Sequence, residues 1–105
     1  MLGLFKKLRY ATRSPKWSTV RKEHLKNNPD CIACGRSKKV EVHHIIPVHI
    51  DQSKELDPEN LVTLCDSPCH ITFGHFMDYK YYNPNVIQMC EEYYSEYVLR
   101  KNMIN

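Results

Sequence analysis

At 105 residues, with 42% hydrophobic residues and a net charge of +3, the chain is sized for a single domain and is neither disordered nor membrane-spanning. Its longest apolar runs, such as Ile45-Ile46, fall far short of a membrane span, and the opening Met1-Leu-Gly-Leu-Phe-Lys-Lys-Leu meets charge too early for a signal peptide. A cytoplasmic, reducing setting with no membrane partner is therefore expected, and in such a setting cysteines bind metal more often than they form disulfides.

Charge is divided along the chain. Residues 1–50 hold eleven Lys/Arg against three Asp/Glu, a net +8, and residues 51–105 hold four against nine, a net −5. A basic front half suits a polyanion, because Lys and Arg release counterions from a phosphate backbone; it is equally what a solvated face of surface lysines looks like. The candidate phosphate-binding cations are Lys6, Lys7, Arg9, Arg13, Lys16, Arg21 and Lys22.

In chain order, residues 1–13 read as a basic arm and 14–105 as the folded domain. Ser14-Pro15 is a helix start, a capping hydroxyl followed by a proline whose missing N–H costs nothing there. Trp17, Val20, His24 and Leu25 recur at helical spacing, which predicts an amphipathic helix over 15–27. Cys31 and Cys34 come next, with Gly35 set for a tight turn. Val40 to Ile46 is β-branched and half alternating, and reads as a strand stopped by Pro47. Residues 48–59 read as a loop with turn signals at Asp51, Ser53 and Asp57-Pro58, and Leu61–Leu64 as a short second strand. A helix is expected to begin within Asp66-Ser67-Pro68 and to carry His70, Phe73 and His75, weakened by Gly74. After an aromatic-rich connection, a last helix near 85–101 shows Val86, Met89, Cys90, Tyr93, Tyr97 and Val98 as an apolar stripe. The order predicts a small α+β domain.

The chemistry concentrates in two cysteine couples bracketing a double histidine. Structural zinc takes four tetrahedral ligands, and thiolates a few residues apart supply two at a time. Cys31/Cys34 has two spacers and Cys65/Cys69 three, so the couples can hold one zinc and tie two distant segments together. The alternatives are buried thiols without metal, or a redox pair at Cys31/Cys34. Cys90 lies on the apolar stripe and is assigned to the core. His43 and His44 are adjacent on a strand and point to opposite faces, so they suit two different jobs: one ring can ligate a metal while the other accepts a proton from water. His70, directly after Cys69, approaches this strand once both segments are fixed. Singly, each of these histidines fits a surface role, and Asn60 fits a turn.

Taken together, Trp17-Ser-Thr-Val-Arg21, Cys31-x-x-Cys34, Val42-His43-His44-Ile45-Ile46-Pro47, Glu59-Asn60-Leu61-Val62-Thr63-Leu64-Cys65 and Cys69-His70 resemble the HNH endonucleases, in particular small phage and bacterial members that carry the cysteines. The resemblance implies a ββα-metal core with a zinc knuckle pair and flanking helices. It implies that His43 ligates a catalytic divalent ion, Mg²⁺ or Mn²⁺ being expected, and that His44 is the general base. It further implies that Asn60 braces the loop which orients that base, that His70 is a second ligand on the helix, and that Cys31, Cys34, Cys65 and Cys69 hold structural zinc. His75 lies five residues after His70, where four would stack the two on one helical face; it is a second ligand only if Gly74 distorts the helix.

The expected activity is metal-dependent nicking of duplex DNA with low sequence specificity, by a bacterial or phage-encoded intracellular enzyme. Two other readings stay open: a non-catalytic zinc module that binds nucleic acid or protein, and an accessory beside a phage packaging machinery. The first leaves four motif residues without a role; the second sits poorly with all four letters being present.

Overall fold

The computed structural model describes residues 13–101. Of the basic arm, Lys6, Lys7 and Arg9 lie outside the described residues, and Arg13 is within them and exposed.

Helix α1 (Trp17–Asn27) begins two residues later than Pro15 alone predicts. The Ser14 hydroxyl accepts from the Lys16 N–H at 3.1 Å and the Ser14 carbonyl from the Trp17 N–H at 3.0 Å, making a separate turn ahead of the helix. That turn is held from outside: the Ser14 N–H donates to both oxygens of the buried Glu55 carboxylate, at 3.2 and 3.0 Å. Trp17, Val20, His24 and Leu25 form the half-buried face of α1, as their spacing predicts.

The first cysteine couple sits on a turn closed by Gly35 N–H to Cys31 carbonyl and Cys31 N–H to Arg36 carbonyl, both 2.8 Å. Gly35 has φ +82°, a conformation in which any Cβ is strained. The turn is pinned to a distant part of the chain by the Ile32 N–H, which donates to the Thr63 carbonyl at 3.1 Å.

Strand β1 (Val40–His44) pairs antiparallel with β2 (Leu61–Cys65) in a register running from Val40↔Cys65 to His44↔Leu61. The expected strand over 40–46 loses its last two residues for a specific reason. Ile45 and Ile46 bond to Asn60 instead of to a strand: the Ile45 N–H donates to the Asn60 carbonyl and the Ile46 N–H to Asn60 Oδ1, each at 2.8 Å. All five residues of β2 are buried, which is why its sequence shows no polar alternation. The predicted turn signals hold the intervening loop in two 3₁₀ turns, with Asp51 accepting from the Ser53 N–H and Asp57 from the Glu59 N–H.

The helix expected from residue 66 to 75 is instead a single π turn, His70–Gly74. Helix α2 (Val86–Tyr93) continues as a π-helical stretch, Tyr94–Leu99, close to the predicted extent. Val86 and Cys90 of its stripe are wholly buried, and Tyr93 packs its ring 5.1 Å from that of Phe73. Met89 and Tyr97 of the stripe are exposed and Val98 is half-buried, so the stripe is only partly turned to the core. That core is Ala33, Val62, Leu64 and Val86 together with Cys31, Cys65, Cys69 and Cys90. Among the described residues, no helix is long and apolar enough to cross a membrane.

The end of α1 is fastened to the sheet by one buried hydroxyl: Thr63 Oγ1 donates to the Asn28 carbonyl at 2.7 Å. Thr63→Val keeps the shape and removes that donor. It is expected to cost about 1–2 kcal/mol in urea denaturation with the sheet signature in circular dichroism unchanged.

Candidate active site

The sequence places ligating atoms in two clusters, and the fold assembles both. In the first, Cys31, Cys34, Cys65 and Cys69 bring their sulfurs within 4.8 Å of one another. Cys34 Sγ and Cys65 Sγ are 3.9 Å apart, far beyond a disulfide. A tetrahedral ion with metal–sulfur bonds of about 2.3 Å would set its sulfurs about 3.8 Å apart, so the quartet is positioned to bind a metal. Burial, followed by its sulfur neighbours, pushes the Cys34 thiol up, and the same causes push Cys69 up strongly. Burial acts upward on Cys65 too, but hydrogen bonds from the Cys69 backbone and from neighbouring side chains outweigh it and leave that thiol lowered. Arg36 ties the two couples together by donating from Nη1 to the Ser67 carbonyl at 3.0 Å. Cys90 takes no part; burial pushes its thiol up to about 12, as befits a core residue.

The second cluster is His43, His70 and His75, whose ring nitrogens also lie within 4.8 Å of one another. His43 Nδ1 is 3.0 Å from His70 Nε2, which is 3.3 Å from His75 Nε2. The outer nitrogens of two rings are spoken for. His70 Nδ1 donates to the Glu41 carboxylate at 2.7 Å, and His75 Nδ1 to the Tyr81 carbonyl at 2.8 Å. Each neutral ring therefore turns its Nε2 lone pair inward. Two inward lone pairs at this range repel, and His43 Nε2 is buried with no hydrogen-bond partner. A cation bonded to the inward Nε2 atoms of His70 and His75 would relieve their repulsion. Metal–nitrogen bonds of about 2.1 Å would place cis ligands about 3.0–3.4 Å apart, which is the spacing found.

The surroundings of His43 also set its charge. Burial above all, and then the neighbouring His70, His75 and His44, lower its pKa to about 3, so the ring stays neutral at physiological pH. His70 is likewise lowered by burial, against the opposing pull of Glu41.

The five-residue spacing of His70 and His75 works because the segment is a π turn, whose hydrogen bonds close on the fifth residue and bring both rings to one side. Gly74 is what allows His43 to approach this turn. A Cβ at Gly74 would lie 2.9 Å from His43 Cε1 and 3.1 Å from both ring nitrogens.

His44 leaves the strand on the other side. Its Nε2 donates to the Glu55 carbonyl at 2.9 Å and its ring lies against Trp17, centroids 4.5 Å apart, with Arg13 5.2 Å over the same indole. Burial, opposed by the bond to the Glu55 carbonyl, lowers the His44 pKa. Asn60 is buried and touches none of the histidine rings through its side chain. Its amide accepts from the Ile46 N–H and donates to the Ile46 and Lys54 carbonyls at 3.0 and 3.1 Å, so it stitches the loop shut one peptide away from the carbonyl that holds His44. All four histidines line one cleft of about 970 Å³.

Sequence reasoning missed Glu41, Glu55 and Trp17 as supports of these rings. Glu41 could have been found: two residues before His43 on a strand, it shares that face and so points to the same helix-side neighbour. Of the predicted cations, Arg13 lines the cleft, while Lys16 and Lys22 are exposed on and beside α1 and Arg21 is half-buried.

Residues 31–75 match the family model for HNH endonuclease. Over this segment the chain is similar to the HNH endonucleases. No curated protein and no solved structure matches the chain. The HNH segment opens at Cys31 and closes at His75, so it holds every residue of both clusters. HNH domains are in general nuclease domains, and the chain is read as an enzyme of that broad kind.

Two substitutions probe the histidine cluster. Gly74→Ala is expected to push His43 aside, costing about 1–3 kcal/mol by chemical denaturation. Glu41→Gln keeps the size and removes the charge that orients His70. It should weaken Mn²⁺ binding, read by calorimetric titration, by about ten- to a hundred-fold with folding unchanged; an unaltered affinity would count against the cluster as the divalent site.

Proposed function

We propose that this HNH protein is a metal-dependent DNA endonuclease that nicks one strand at a time. The observation that carries the reading is that three converging imidazoles and a separately held fourth open on one cleft. Zinc is the metal that suits the four thiols, where it would stand in for core. His43, His70 and His75 would hold the catalytic ion, with Glu41 and the Tyr81 carbonyl fixing the orientation of two of the rings.

The residues then divide the work. His44 donates from Nε2 to the Glu55 carbonyl, which leaves Nδ1 as the basic nitrogen. Its lowered pKa keeps it unprotonated at neutral pH, and it takes the proton of the attacking water at Nδ1. The water oxygen forms the new bond to phosphorus as the bond to the 3′ oxygen breaks, and that oxygen takes a proton from solvent water, leaving a 5′-phosphate and a 3′-hydroxyl as in the family. The three rings would hold a divalent ion, which would supply charge stabilisation for the phosphate. Asn60 keeps the Lys54–Glu55 peptides in place and so holds His44 indirectly. Arg13, beside Trp17 on the cleft wall, supplies positive charge to a strand entering it. One base and one ion site serve one strand.

The contrary reading, a non-catalytic zinc module, accounts for the thiols and the charge but leaves the second cluster without purpose. A single experiment separates them. Chelator-washed, zinc-retaining protein is expected to convert supercoiled plasmid to open circle only on addition of Mg²⁺ or Mn²⁺, and His44→Ala to lose about 10²–10⁴ of that rate while keeping its zinc. Unchanged nicking by a folded His44→Ala protein would remove His44 as the base. A lack of nicking together with one bound zinc and no second divalent site would favour the binding module.

A further inference from the structure

The cleft has walls that the proposed chemistry does not use. On one side runs the segment from His75 to Tyr82, in which Tyr79 and Tyr81 are 62% and 60% exposed although both line the cleft. Tyr79 lies directly against the catalytic cluster, its ring centroid 4.8 Å from that of His75 and 6.1 Å from that of His70. On the other side stand Pro47, Val48 and Ile50, the last of them 55% exposed. Arg13 and Lys80 are the Lys/Arg residues lining this cleft among the described residues. Duplex DNA is held by rows of cations on its phosphates, whereas exposed aromatic faces bind bases that are free of their partners.

The aromatic wall is also held rigidly. Phe76 and Met77, bulky residues without β-branching, have φ of 52° and 72°, a left-handed conformation that costs energy for any non-glycine residue and marks a segment shaped by something other than its own preference. The bend is fixed by the Met77 N–H donating to the Ile71 carbonyl at 2.8 Å and the Asp78 N–H to the His75 carbonyl at 3.0 Å. Beyond it, Asp78 accepts from the Lys80 N–H at 2.9 Å through its side chain and from the Tyr81 N–H at 2.9 Å through its carbonyl. The result is two tyrosines presented to solvent on a fastened loop with a lysine between them, beside the rings that would hold the metal.

We propose that Tyr79 and Tyr81 form a base-stacking platform and that the preferred substrate is DNA whose bases are unpaired next to the scissile phosphate. The proposal rests on the nuclease reading above and specifies its substrate. The bases of an opened strand lie on the tyrosine wall, Arg13 and Lys80 meet its phosphates, and the apolar wall at Ile50 excludes the partner strand. A paired duplex keeps its bases stacked on one another and gains nothing from the platform.

The test is anisotropy of one labelled oligonucleotide, as a single strand and as its matched duplex, at one salt concentration. The full chain carries His44→Ala so that the strand is bound and not cut. The single strand is expected to bind about five-fold tighter or more. Tyr79→Ala and Tyr81→Ala should each lower the single-strand to duplex affinity ratio by a similar factor, and Tyr79→Phe and Tyr81→Phe should restore it. Lys80→Ala, a charge control, should weaken both forms together. Equal binding of the two forms, or alanine variants with an unchanged ratio, would overturn the platform. Plasmid nicking by the wild type is read beside it, so nicking without a strand preference sinks only this inference, and strand preference without nicking sinks only the nuclease reading.

Discussion

Everything in this molecule hangs on the quartet of sulfurs at its centre. Of the eight described residues in the buried core, three are ligands of that quartet, and the aliphatic remainder is Ala33, Val62, Leu64 and Val86. That is a small aliphatic set among the described residues, to which Leu61 and the partly buried Ile32, Val40, Ile45 and Phe73 add. A metal joining Cys31 and Cys34 to Cys65 and Cys69 would close a loop of some thirty residues and supply what the aliphatic core lacks. The same joint has a second effect. Cys65 ends β2, Cys69 leads into the π turn, and β2 holds β1 in register. Fixing the sulfurs therefore sets the distance between His43 on β1 and His70 and His75 on the turn. In this architecture the thiol quartet is the ruler for the imidazole trio.

The ruler alone would not bring three rings together. His70 and His75 are five residues apart, and on an α-helix they would diverge by roughly 140° around the axis. The π turn removes that divergence, and it ends on a glycine. Gly74 is buried beneath the His43 ring, so that the strand histidine meets the turn at contact distance. Spacing and glycine are one device: a longer turn to align two ligands, and a bare Cα to admit the third.

That device also explains what could and could not be read from the amino-acid order. The cysteine couples, His43, His44, Asn60 and His70 were legible because each belongs to a local motif whose spacing is set by chemistry. The helix at 17–27 and the strand pair were legible from periodicity. His75 was readable only conditionally, since its place depends on whether five residues make a turn, and propensity does not distinguish a π turn from a bent α-helix. Ile45 and Ile46 looked like strand because their side chains favour it; the backbone partner they find is Asn60, an event at a distance of fourteen residues. Trp17 looked like the apolar anchor of a helix, and it is, but the surface it covers is a histidine ring. Tyr97 fits an apolar stripe by spacing and stands largely in solvent, its ring 5.2 Å from that of Tyr93. Local pattern carried the ligands; long-range contact carried their supports.

The pairing of His43 with His44 comes from the same geometry. A metal ligand and a general base are both neutral imidazoles, and on one face of a strand they would compete for the same ion. Adjacent positions prevent this, because alternation sends one ring towards the π turn and the other towards Trp17 and the Glu55 carbonyl. The two environments then sharpen the difference. His43 is enclosed by two further rings and a glycine, which suits the proposed role of ligand. His44 has its Nε2 tied to a carbonyl, which suits the proposed role of base at Nδ1. Asn60, buried sixteen residues further along, bonds the Lys54 carbonyl, one peptide before the carbonyl that holds His44. A one-residue slip of β1 would exchange the two faces and leave the imidazole trio without its strand ligand, so the strand register is itself part of the proposed catalytic machinery.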